Sequence, residues 1–492
     1  MNFRTISKKT AIFLLAAQLA LLTACGGSAP AATDDTTAAS GDTTSAAPVI
    51  DNSTDDLPAL DFGGREFNVL AAESAAYKGY LDVEEQTGDI LNDAVYMSNR
   101  AVEERLNIVF KQEVQAATTA NTTGGNLIMS GDHVYDLISL TDRNAFSYAV
   151  QGMLIPYDDM PHIDLDKDYW VQGINDVIRM DNTYWLAYGD FNLSIYDYTY
   201  VLAFNKKMLD ELKLEDPYKL VDSGKWTIDA FQKMCLAANM DLNGDTVMDD
   251  TDRWGWSAVP KQIPPTMWIA AGAESIKKNG EDLPEFTMAS DSHFSEVYAK
   301  IYEIAYTTEC WAPNTLNDHV LKLPMFKEGR SLFQTTSFGQ LDNDYYRTME
   351  TDFGVLPHPK WDEAQDKYYS RVEGGRLFAI PITTAEKDKE LVGATLEALS
   401  YQASVDIIPA YFEITLKAKY TRDDESARMF DLIMDSRVYD LGDTMWSTQC
   451  RDGFIYTLFY KNKSDALASA IAENKAMMEG ELQKTIDGFK AQ

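Results

Sequence analysis

Tyr135-Asp136-Leu137-Ile138-Ser139-Leu140-Thr141-Asp142-Arg143-Asn144 is an apolar run that breaks into polar residues within a few positions. Its first six residues read as a buried strand, and 141–144 as the turn after it. Working back, Phe67-Asn68-Val69-Leu70-Ala71, preceded by Gly63-Gly64, reads as an earlier buried strand, and Ile108-Val109-Phe110 as another. Between these two, Leu91, Val95, Val102 and Leu106 recur at helical spacing through 89–107. Strands separated by helices predict parallel α/β layers. Ligands of open parallel sheets meet the carboxyl ends of the strands, so Asp142, Arg143 and Asn144 stand where a ligand would be met. A helix cap and a solvated turn are the alternative reading of the same three residues.

Working forward, Trp185–Asp190 and Tyr200–Asn205 read as two further strands, joined through the tyrosine-rich Ser194-Ile195-Tyr196-Asp197-Tyr198-Thr199. In Gly224-Lys225-Trp226-Thr227-Ile228-Asp229-Ala230-Phe231, Thr227 is placed to cap a helix and Asp229 to favour its dipole. Phe231, Met234, Cys235 and Ala238 then share one face, which makes Cys235 a buried small hydrophobe. Trp226 and Trp254 are assigned to the core. Leu467, Ile471, Met478, Leu482, Ile486 and Phe489 predict a long amphipathic helix near the end.

The chain has 492 residues, enough for two or more lobes. A 45% hydrophobic and 11% aromatic content excludes a disordered chain. With 77 acids against 43 bases the net charge is −34, which argues against binding nucleic-acid phosphates or docking a basic face on anionic lipid. The start carries an address. Arg4, Lys8 and Lys9 precede the apolar Ala11–Leu22, which ends in Leu22-Thr23-Ala24-Cys25-Gly26. This resembles the bacterial lipobox, implying a signal peptide over 1–24 and acylation of Cys25; a plain secretory signal is the alternative. Residues 25–56 lack Lys, Arg and aromatics and read as a tether. The expected location is the cell membrane, lipid-anchored and facing outside the cytoplasm.

Four features together resemble extracellular solute-binding lipoproteins of ABC importers: the lipobox, the Thr/Ser/Asp tether, Phe204-Asn205-Lys206-Lys207, and Lys225-Trp226-Thr227-Ile228-Asp229-Ala230-Phe231. Asp352-Phe353-Gly354-Val355-Leu356-Pro357-His358-Pro359-Lys360 and Phe378-Ala379-Ile380-Pro381 match the same pattern. The chain is thus similar to family 1, the maltose-binding-like group in its Clostridia-type form, over roughly residues 60–490. The resemblance implies an α/β fold of two lobes facing a ligand cleft, with hinge crossings near 190–200, 331–338 and 380–385. It divides the body into 57–195 plus 337–383 as one lobe and 196–336 plus 384–492 as the other. It implies closure of the lobes on a solute, a sugar or oligosaccharide, and delivery to a membrane permease by a monomer. A tethered glycan-active enzyme and a ligand-presenting sensor are the alternatives.

The cleft is expected to pair aromatic platforms with polar side chains, because sugars offer flat C–H faces and many hydroxyls. Candidates are Asp142, Arg143, Asp190, Tyr196, Trp268, Phe338, Glu373, Arg376 and Trp446. Asp241 to Asp252 forms a twelve-residue loop with oxygen side chains at Asp241, Asn243, Asp245, Asp249 and Asp252, and a carbonyl at Val247. That pattern suits a structural Ca²⁺, although Thr246 replaces the usual Gly and Asp252 the usual Glu; an ion-free acidic turn is the alternative. The five histidines show no metalloprotease spacing, and neither a nucleophile elbow nor a phosphate loop occurs, so no catalytic residue is assigned. Cys310 and Cys450 could pair outside the cell, while three non-lipid cysteines cannot all do so.

Overall fold

The strand at Arg65–Ser74 buries Phe67, Val69, Leu70 and Ala71, so both its faces must be covered. The computed structural model, which describes residues 54–74, 77–79, 81–313, 323–341, 344–412 and 424–492, shows how. This strand pairs in parallel with Ile108–Ala116 on one side and Leu137–Thr141 on the other. Arg376–Ala379 adds an antiparallel strand beyond Leu137–Thr141, with Arg376 opposite Thr141. The helix Ile90–Leu106 links the first pair, its start capped by Asp89, which accepts from the Leu91 and Asn92 amides. The helix Lys389–Pro409 packs along it. The strands and the helix expected over 67–140 are therefore present.

The second sheet has the order Phe353–Leu356, Tyr200–Asn205, Ser331–Ser337, Trp254–Ser257. The first two pairings are antiparallel and the last parallel. Against it lies the helix Ile228–Ala238, with Thr227 capping the Ala230 amide. Trp226, Phe231, Trp256 and Phe333 form an aromatic cluster with centroid separations of 5.2–6.2 Å. The Trp226 indole donates to the Pro357 carbonyl at 2.9 Å. Cys235 and Trp254 are buried here as expected. The closing helix spans Leu467–Lys490 and buries Leu467, Ile471, Met478, Leu482 and Phe489.

Three segments lie side by side between the sheets. Thr199 bridges Val372, and Ser370–Arg371 pairs in parallel with Arg437–Val438. The Glu373 amide donates to the Tyr198 carbonyl at 3.1 Å, and the Val372 amide to Val438 at 2.9 Å. This ribbon corrects the second and third expected crossings. Ser331–Ser337 is an interior strand paired on both sides, and Ile380 stays with the first sheet by accepting from the Ile155 amide. The expected division shifts likewise. Phe353–Leu356 belongs to the second sheet through Tyr200–Asn205, and Lys389–Pro409 to the first. Edge pairing and helix docking are long-range choices that leave no local pattern. Trp185–Asp190 is not a strand either. Its backbone is spent on the loop before it, Val171 and Asp190 exchanging bonds with Tyr188 and Tyr169 at 2.9 Å, and on Asn175.

Candidate functional site

The three crossing segments deliver their side chains to a cavity of about 210 Å³ beside the second sheet. Tyr198 and Tyr200 come from the first segment and Glu373 from the second. Thr335 comes from the sheet itself, Gln340 from the turn after it, and Val259 and Gln262 from the short helical turn ahead of the helix Ile263–Ala270.

Glu373 is the ionised group of this lining, and every bond it makes is charge-matched or polar. Its Oε1 accepts from Arg451 Nη1 at 3.0 Å. Its Oε2 accepts from the Tyr200 hydroxyl at 2.8 Å and from Gln262 Nε2 at 3.2 Å. Behind it, Arg371 is fully buried and grips Asp443 with two bonds of 2.6 and 2.9 Å. The same guanidinium stacks 4.4 Å from the Tyr200 ring and donates to Gln262 Oε1 at 2.5 Å. Arg451 also reaches Asp443 at 3.2 Å and Asp452 at 2.7 Å, and Lys261 reaches Asp452 at 2.7 Å. Burial raises the affinity of Glu373 for a proton, but the two arginines outweigh it and hold the carboxyl below its ordinary range. The wall is thus a fixed set of polar heads whose charges balance behind it. On the other side, the Thr335 hydroxyl takes the Trp256 indole N–H at 3.0 Å and meets His358 Nε2 at 3.1 Å. Burial, then Arg371, pushes the His358 imidazole down to about 3, so it is neutral at ordinary pH.

Of the residues expected from sequence, Glu373 lines this cavity. Asp142 lies on its flank, with its Oδ2 where a side chain on Gly374 would sit. Burial pushes Asp142 up to about 6 against the pull of the Arg143 amide and Arg451. Arg143 beside it is exposed. Arg376 begins the strand that follows, 5% exposed. Asp190 and Tyr196 form a separate pair: the Tyr196 hydroxyl donates to Asp190 at 2.6 Å, and its ring packs on Arg437 at 4.6 Å and on Tyr411 and Phe412. Three nominated aromatics belong to the core instead. Trp268 packs on Phe294 at 5.5 Å and Phe338 on Phe430 at 5.1 Å with tilted rings, and Trp446 meets Phe146 edge-on at 4.9 Å, all buried. Placement at a helix or strand end does not separate an inward from an outward rotamer. The residues the sequence reading missed are Tyr198, Tyr200, Val259, Gln262, Thr335 and Gln340. The tyrosine alternation 196-198-200 was their one local signal.

The acidic loop is folded by its own side chains. Asp241 accepts from the Gly244 and Thr246 amides, Asn243 from Asp245, and Asp245 from Val247. Asp252 accepts from Leu242 and Asp249, both at 2.8 Å. Thr246 takes φ 68°, the left-handed turn that Gly usually supplies at that position. Among the described residues no three acidic, histidine or cysteine side chains converge as a metal site. Cys235, Cys310 and Cys450 are free and buried, so the Cys310–Cys450 pairing is not formed. Cys25 lies outside the described residues. Among the described residues no helix is long and apolar enough to cross a membrane.

No family model matches the chain, and no curated protein does. Solved structures do. An ABC substrate-binding protein of Listeria monocytogenes in complex with cycloalternan is 13% identical, with a TM-score of 0.53 over 84% of this chain and 99% of its own. The maltose/maltodextrin-binding domain MalE of Bdellovibrio bacteriovorus, bound to maltotriose, is 14% identical, with a TM-score of 0.51 over 87% and 99%. UspC of M. tuberculosis is 14% identical, with a TM-score of 0.57 over 84% and 98%. At such identity the likeness is one of fold: the chain has the α/β, two-lobe architecture of periplasmic solute-binding proteins.

Proposed function

We propose that this chain is the solute-binding component of an ABC importer and that it captures a saccharide. The observation that carries the reading is the cavity at the crossing segments. It presents two tyrosines, two glutamines, a threonine and one anchored carboxylate, the lining that a polyhydroxylated ligand needs. Its polar heads are held before any ligand arrives, which lowers the cost of binding. Neighbours of the same fold hold cycloalternan and maltotriose in their structures. The chemistry of turnover is not assembled there: His358 faces Thr335 behind the wall, and the Glu373 carboxyl is fully engaged. Lipid anchoring at Cys25, service as a monomer and hand-over to a permease complete the reading.

The test is thermal unfolding of the protein with saccharides of one to four rings, followed by chromatography of the recovered sugar. Ligand at 100 times its Kd stabilises the folded state by about 2.7 kcal/mol. A raised midpoint with sugar recovered intact supports capture. A shortened or altered sugar would favour the tethered enzyme.

We also propose that the 241–252 loop takes Ca²⁺ as a structural ion. The left-handed Thr246 and the aspartates at 241, 245, 249 and 252 support that reading. A Ca²⁺-dependent rise in melting temperature, lost in Asp241→Ala, is expected; a midpoint indifferent to Ca²⁺ and chelator removes the ion from the account.

A further inference from the structure

Arg371 is not among the residues that line the cavity, yet its guanidinium meets three of them. It lies 4.4 Å from the centre of the Tyr200 ring. Its Nη1 donates to Gln262 Oε1 at 2.5 Å, and its Nη2 stands 3.9 Å from Glu373 Oε1. The side chain is fully buried, and Asp443 holds it from behind through Nε at 2.6 Å and Nη2 at 2.9 Å. A planar fork gripped at two points cannot turn, so the edge it shows Gln262 and the face it shows Tyr200 are both fixed.

That fixes what the wall offers to a solute. A guanidinium only donates, so the Gln262 amide must turn its oxygen to Arg371 and its nitrogen to Glu373, where Nε2 donates at 3.2 Å. One N–H of that amide is left over. The Tyr200 hydroxyl gives its proton to Glu373 at 2.8 Å, which leaves its oxygen as an acceptor. One side of the Tyr200 ring is backed by the guanidinium. Without Arg371 the amide would be free to flip and the ring would lose the plane behind it. Both side chains would then have to be ordered as the solute arrives, which lowers affinity.

We propose that Arg371 is the positioning residue of the saccharide site: it touches no solute itself, but sets the donor of Gln262 and the ring of Tyr200 on which a sugar binds. The inference rests on the saccharide-binding reading and names the residue that shapes its wall.

Calorimetric titration with maltotriose, cellotriose and xylotriose, the tightest binder of the three then serving as probe, tests it alongside scanning calorimetry of the same samples. The variants are Arg371→Lys, the double variant Arg371→Leu with Asp443→Leu, and Trp268→Ala as a destabilised control. Lysine keeps a charge beside Asp443 but cannot both reach Gln262 and cover Tyr200. The double variant removes both charges of the pair and so keeps the test open if lysine is poorly tolerated. In each of these two, the probe should bind roughly tenfold more weakly, as for two side chains that must be ordered on binding. Trp268→Ala should lower the melting temperature and keep the affinity. Tyr200→Ala should weaken binding in the wild type and add little in Arg371→Lys, because the two act through one contact. Undiminished affinity in the variants that lack the guanidinium overturns the proposal, as does full additivity of Tyr200→Ala and Arg371→Lys. Affinity that simply follows melting temperature across the set, the control included, makes Arg371 structural and also overturns it; the saccharide reading stands in all three cases. If none of the three sugars binds the wild type, both readings fall.

Discussion

Asp443 is the hub that keeps two buried arginines neutralised, and its replacement by Asn should reveal how much. The carboxylate is fully buried and accepts from Arg371 at 2.6 and 2.9 Å and from Arg451 at 3.2 Å. Asn keeps the shape but offers one acceptor and no charge, leaving Arg371 with the more distant Glu373 carboxylate at 3.9 Å as its counter-charge. Breaking one side of a buried pair typically costs about 3–5 kcal/mol, because the remaining charge stays desolvated. The body has about 440 residues, so its unfolding entropy is roughly 0.9 kcal/mol/K and the loss corresponds to a fall in melting temperature of about 4 °C. Differential scanning calorimetry at neutral pH reads this directly. The double variant Arg371→Leu with Asp443→Leu removes both charges and should recover at least half of the fall. A single-variant shift under about 1 °C, or a double variant less stable than the single one, would refute the reasoning.

Other expectations follow from burial and close approach. Burial pushes Glu397 up to about 7 from 4.5, although the Tyr169 hydroxyl, the Trp170 indole and the Asp164 amide all donate to it. A folded value above the unfolded one means its contribution is complete below pH 4.5 and is lost as pH rises through 7. The loss is on the order of 3 kcal/mol, so melting temperature should fall between pH 5 and 8 and Glu397→Gln should flatten the slope. Trp268→Ala should cost about 3–5 kcal/mol in urea unfolding with saccharide affinity within about twofold. Lost affinity at unchanged stability would return Trp268 to the cleft. Gly374→Ala places a Cβ 1.6 Å from Asp142 Oδ2 and should destabilise by about 1–3 kcal/mol, with Asp142→Ala restoring part of it. A neutral Gly374→Ala would show that the segment shifts freely.

What the sequence determined by itself is what local periodicity and composition encode. The strands read at 67–71, 108–110 and 135–140, the helix over 89–107, the helix after Thr227 with its cap, and the buried Cys235 all follow from spacing within one element. Glu373 was legible because Gly374 and Gly375 mark a close backbone approach beside it. Tertiary structure alone decided the rest. Phe353–Leu356 joins the second sheet by pairing with a strand about 150 residues earlier, which no local pattern records. Trp268, Phe338 and Trp446 pack into the core while Tyr198 and Tyr200 line the cavity, although all are aromatics at element ends. Arg371 and Arg376 stand five positions apart, yet one grips a carboxylate and, among the described residues, the other pairs with none. Partnership there depends on where Asp443 is carried by the third crossing segment, and a charge is matched by what meets it in space.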